Sequence, residues 1–91
     1  MEPINFLQIS FSRTDAKVKR ITPPGMVNKL KAAGLYAEIE ALESRAREIM
    51  QSGDNTRILE LRTVLDQWEG KVFESIRTVV QSMNERGGRA A

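Results

Sequence analysis

Glu38 with Glu40, and Glu69 with Glu74, are the carboxylate pairs that could share acid–base work. Side chains two apart on a helix do not face each other, so the expected state of these groups is solvated charge. The chain has no histidine and no cysteine. That removes imidazole acid–base chemistry, thiolate nucleophiles, disulfides, and thiol or imidazole metal ligands. No glycine-rich phosphate loop follows a strand, because the only paired glycines stand in the terminal stretch "ERGGRAA" rather than ahead of a helix. Trp68 and Tyr36 fit packing roles better than ligand platforms. Met26, Met50 and Met83 fit as fillers of irregular gaps at the ends of a helical hairpin. The expectation is a nonenzymatic protein that uses no cofactor and no metal.

Charge is the other resource for chemistry, and it is unevenly spread. The net charge is +2, yet Arg13, Lys17, Lys19, Arg20, Lys29 and Lys31 stand against Asp15 alone in one short segment. From Ala32 onward ten acidic residues face eight basic ones. Arms that hold nucleic acid carry denser charge or aromatic stacking groups. Base readout also needs a rigid element that enters a groove, and Pro23–Pro24 interrupt this segment. The expectation is a solvated basic loop, with weak, salt-sensitive nucleic-acid binding as an alternative function and an acidic protein partner as another.

These residues must be positioned by one small domain, or by a fragment that depends on partners, since the chain has 91 residues, 41% of them apolar and 29% charged. No apolar run approaches the ~20 residues of a membrane span. The start "MEPINFLQISF" lacks the basic head and long apolar core of a secretory signal. A small soluble, cytoplasmic protein is the default expectation, with export lacking a cleaved signal left open.

Two long helices dominate the pattern. Leu35, Ile39, Leu42, Ala46 and Ile49 recur at spacings of four and three, a heptad stripe of coiled-coil type. Ile58, Leu61, Leu65, Trp68, Val72 and onward to Met83 repeat it. Between the runs lies "QSGDNT". There Gly53 can take the left-handed conformation that ends a helix, and Asp54 or Asn55 can cap the next one. The fold class expected is mainly α: a long antiparallel two-helix hairpin over about 25–51 and 55–85. An N-terminal arm, residues 1–24, would precede the hairpin domain at 25–86, and 87–91 would form a flexible tail. "INFLQISF" is rich in strand formers, so residues 4–21 are expected to be an extended arm or a β-hairpin. Gly34 and Gly70 fall inside the expected helices. Each is open to two readings, a close approach or slot for an aromatic ring on the one hand and a tolerated irregularity on the other.

The stretch "SGDNTRILELRTVLDQWEGKVFESIRTVV", about a third of the chain, resembles the second half of type III secretion needle subunits and of their helical-hairpin co-chaperones. The needle family tends to place prolines in the turn, and this turn has none. The resemblance implies a secretion-assembly role, with Leu61, Leu65, Val72 and Ile76 as helix-packing contacts.

One feature of the second helix carries the functional expectation. Leu59, Val64, Phe73 and Val80 widen its stripe beyond what one partner helix covers, and Trp68 adds a large aromatic surface. Unless the N-terminal segment covers them, these residues form a hydrophobic patch that another chain must cover. The expected function is a protein–protein interaction module. It would self-associate, most simply as a homodimer with a four-helix bundle, or bind a helical partner.

Overall fold

The computed structural model describes residues 5–89, which form four helices: α1 (Phe6–Ile21), α2 (Pro24–Ala32), α3 (Tyr36–Ser52) and α4 (Ile58–Arg89). Residues 1–4 at the start of the expected arm, and 90–91 at the end of the expected tail, lie outside that range. No strand occurs among the described residues.

The N-terminal segment is the main correction. Residues 6–21 are neither an extended arm nor a β-hairpin but helix α1. Asn5 caps it, its side-chain oxygen accepting the Gln8 N–H at 3.1 Å. Leu7, Phe11 and Val18 then fall on one helical face and are all buried. Strand-forming residues are therefore overridden by a helical stripe that finds a core to fill. Phe11 stacks on Trp68 of α4, with ring centroids 5.8 Å apart, while the Arg47 guanidinium of α3 lies 5.1 Å from the Phe11 ring. Thr22 closes the helix, donating both its N–H and its hydroxyl to the Val18 carbonyl. Pro23 and Pro24 then start α2, where a missing N–H costs nothing.

The single helix expected over 25–51 is two. Gly34, at φ 74°, ends α2. Its N–H donates to the Lys31 carbonyl and the Leu35 N–H donates to the Leu30 carbonyl, the bond pattern of a Schellman cap. Leu30 is fully buried and Leu35 packs against the same core, which supplies the hydrophobic contact that accompanies such caps. α3 ends in a related way at Gly53, φ 69°. Asp54 next accepts the Thr56 backbone N–H at 3.0 Å and the Thr56 hydroxyl at 2.6 Å. A single 3₁₀ turn, Asn55–Arg57, leads into α4, which continues through Gly87 and Gly88 to Arg89.

α4 is the axis of the molecule. α3 runs antiparallel to it, since the chain reverses over a few residues and the Lys71 ammonium meets the Glu38 carboxylate at 2.7 Å. α1 packs on another flank of α4 in the parallel sense. Its first turns touch the 3₁₀ turn, and its last turns border α2 and the start of α3. The whole is a narrow body of 62 × 20 × 18 Å. One core runs along it, built from Leu7 and Phe11 of α1, Leu30 of α2, Ile39 and Ile49 of α3, and Leu61 to Val79 of α4. No helix among the described residues is long and apolar enough to cross a membrane.

Candidate functional site

The widened stripe of the second long helix divides in the folded chain. Val64 and Trp68 are 2% and 1% exposed, both within the core, with Trp68 stacked on Phe11 of α1. They are core residues here and offer no surface to another chain. Leu59, Phe73 and Val80 remain exposed, at 72%, 48% and 40%. The turn residues Gly53, Asp54 and Asn55 are exposed at the α3–α4 end and serve as stop and cap.

The exposed residues belong to a second heptad row on α4. Leu59, Arg62, Asp66 and Glu69 follow one another at spacings of three and four, and Phe73, Ile76, Val80 and Met83 continue the row. α1 borders it. The Lys17 ammonium reaches the Glu69 carboxylate at 3.0 Å, and Phe6, Ile9, Arg13, Lys17 and Arg20 share one side of α1 by the same spacing rule. Every large apolar side chain among the described residues that is classed as exposed comes from α1 or α4: Phe6, Ile9, Leu59, Phe73, Val80 and Met83. The resulting face is apolar at the end near the α3–α4 turn and charged in its middle. It turns apolar again where α4 extends past the end of α1.

No family model, curated protein or solved structure matches the chain.

The α1 contribution was absent from the sequence expectation. Its signal lies in the spacing of Phe6, Ile9, Arg13, Lys17 and Arg20, which the strand-forming composition of the segment conceals. The basic residues also sit differently from the loop expected for them. Lys17 and Lys19 lie on α1, Lys19 paired with Asp15 at 3.1 Å, and Lys31 of α2 stands 5.3 Å from the Tyr36 ring.

The carboxylate pairs are split between partners. Glu38 holds Lys71, whose ammonium is pushed up from its ordinary value by that hydrogen bond and charge. Glu69 holds Lys17. No group of three or more potential metal ligands converges among the described residues. A cleft of about 370 Å³ opens where α1, α2 and α3 meet, lined by Val18, Thr22, Val27, Tyr36, Ile39 and Trp68. Burial, followed by the nearby Glu43 and Glu40 charges, raises the Tyr36 hydroxyl above its ordinary range, so it remains a neutral hydroxyl at neutral pH. The charged residues at this rim, Lys19 and Glu43, are engaged with Asp15 and Arg47.

Proposed function

We propose that the protein is a nonenzymatic protein–protein interaction module that self-associates through the exposed apolar side chains of α4. The observation that carries this reading is their confinement to one face. Phe73, Val80 and Met83 protrude where α1 has ended, while α2 and α3 present no large apolar side chain classed as exposed among the described residues. Exposed apolar side chains scattered singly need no explanation, but a heptad row of them on one helix marks a contact surface. A second copy of the same chain is the simplest closed solution, because an isologous dimer covers both patches at once.

Sedimentation equilibrium over micromolar concentrations tests the reading. The native chain is expected to reach a dimer, and Phe73→Glu combined with Val80→Glu to remain monomeric with unchanged helical circular dichroism. A native chain that stays monomeric across that range removes self-association.

A further inference from the structure

We infer that two copies of the chain exchange α1, each copy's first helix seated on the other's α4, and this inference rests on the self-association proposed above. Area asks for more than the exposed row supplies. That row spans about three turns past the end of α1, ~15 Å by ~10 Å. Pairing two such strips buries only about 300 Å², far below the ~1,200–2,000 Å² of a stable interface. Exchange turns a contact the chain already makes into one between chains. Two 16-residue helices on two seats, each ~24 Å by ~10 Å, bring the total to about 1,250 Å², which reaches that range. The contacts are those of the closed chain, with Phe11 stacked on Trp68 and Lys17 reaching Glu69. Trp68 offers no surface while its own α1 is in place. With α1 lifted, it offers the seat.

Two features let α1 leave its own body. The joint to α2 is only Thr22–Pro23, and among the described residues no backbone hydrogen bond crosses it from α1 to α2. Pro23 is extended, at φ −62° and ψ 164°, and a residue before proline favours extended backbone as well. The joint therefore opens without breaking a helix. The seat is also poorly satisfied. Trp68 Nε1 and Asp15 Oδ1 are buried without a hydrogen-bond partner. Asp15 stands one turn from both Phe11 and Val18, the α1 residues that stack on Trp68 and share the cleft with it. Buried polar atoms left unpaired cost stability, so α1 is the element that lifts off ahead of the rest.

The short joint fixes where the second copy stands. α1 is parallel to α4, and the Lys17–Glu69 contact puts Ile21 about level with Phe73 by equal rise. From Ile21 to Pro24 the chain spans at most about 11 Å. An exchanged α1 thus holds its own body close to the seat's end, where the receiving copy's α1 would have stopped. That is the place at which Phe73, Val80 and Met83 protrude. Exchange accounts for the exposed row and the added area together.

Two measurements on the full chain test it. The protein has no cysteine, so Lys17→Cys with Glu69→Cys gives one pair of thiols across the α1–α4 contact. A short bismaleimide, added at a concentration where the protein is dimeric, is expected to give a product of two-chain mass under denaturing conditions. A product of one-chain mass overturns the exchange and leaves self-association standing. Charge complementation is the second test. Lys17→Glu and Glu69→Lys each oppose like charges at this contact, whether α1 is exchanged or not. Unfolded together in urea and refolded, exchanged heterodimers restore two opposite-charge pairs. The mixture is expected to dimerise about fivefold or more tightly than either variant alone in sedimentation equilibrium. Equal dissociation constants in the mixture and the single variants, with helical circular dichroism intact, keep the pair within one chain and overturn the exchange. A monomeric native chain overturns both this inference and the reading on which it rests.

Discussion

The two halves of α4 have the same helical rhythm and opposite surroundings. From Leu61 to Val72 the helix is packed by α1 on one flank and α3 on another. Leu61, Val64, Leu65, Trp68 and Val72 are buried, and the outer row carries Arg62, Asp66 and Glu69. From Phe73 onward α1 has ended and α2 covers only the inner side. Ser75 and Val79 are buried there, but the outer row becomes Phe73, Ile76, Val80 and Met83. Between Leu61 and Met83 the charged residues of the row stand beside α1 and the apolar ones past its end, whereas Leu59 is exposed at the end where α1 begins. The inner side of both halves packs the core, and Ile76 of the outer row is half-buried against it as well.

The sharpest way to break the comparison is to truncate one aromatic in each half. Trp68 is buried and stacked on Phe11, so Trp68→Ala is expected to cost about 3–5 kcal/mol through lost transfer energy and a cavity. That is a large share of the ~5–15 kcal/mol that holds a small domain folded. Phe73 is half exposed, and Phe73→Ala is expected to cost less than about 1 kcal/mol of monomer stability. Urea unfolding at low protein concentration checks the pair, because a populated dimer adds to apparent stability by mass action. Comparable losses at the two sites would mean that the distal half belongs to the core.

A smaller effect separates the glycines at the margins of these halves. Gly34 takes a left-handed φ in open space, so a side chain there meets no atom but strains the backbone. Gly34→Val is expected to destabilise by about 1 kcal/mol or more. Gly70 lies between the buried and exposed halves of α4, and an added Cβ there also meets nothing within 4 Å. Neither a close approach nor a slot for an aromatic ring explains it. Gly70→Ala is expected to stabilise by up to ~1 kcal/mol through helix propensity alone. Thermal unfolding of the two variants should therefore shift in opposite directions, and a loss at Gly70 would point to a contact made by a partner chain.

The helical character of most of the chain was legible from the apolar spacing over 35–83. α1 was obscured by its composition. Ile9 and Phe11 favour strands, and the helical evidence rests on Leu7, Phe11 and Val18 behind an Asn cap, a stripe only three residues strong. Its stability comes from Trp68 and the other α4 residues it meets, which a local reading cannot supply. Gly34 was hidden for a related reason. The heptad from Leu35 to Ile49 invites extension backward through the glycine, whereas Leu30 and Leu35 come together only because the helix stops between them. At the site, the width of the apolar stripe on α4 was visible, but its division was not. Trp68 differs from Phe73 and Val80 in having Phe11 of α1 stacked on it, and that depends on α1 being a helix.

The smallest expected effect lies at the start of the buried half and depends on pH. Asp54 accepts hydrogen bonds from the Thr56 hydroxyl and backbone N–H, which hold its carboxyl below the ordinary value of 3.8, with Arg57 adding a weaker pull. A carboxyl lowered by folding binds protons more weakly in the folded chain than in the unfolded one. Its contribution to stability is therefore fully present above the unfolded value and is lost as pH falls through that value toward the folded one. Glu60, lowered first by its hydrogen bond to Arg57, acts in the same direction. Asp54→Asn separates capping from titration, since an asparagine oxygen can accept the same bonds without taking up a proton. The native chain is expected to lose more thermal stability than the Asn variant between about pH 7 and about pH 3. The two should differ least at the acid end, where the native carboxyl is itself being protonated. Equal losses would remove Asp54 from the acid response and leave its hydrogen bonds to Thr56 as a cap that does not titrate.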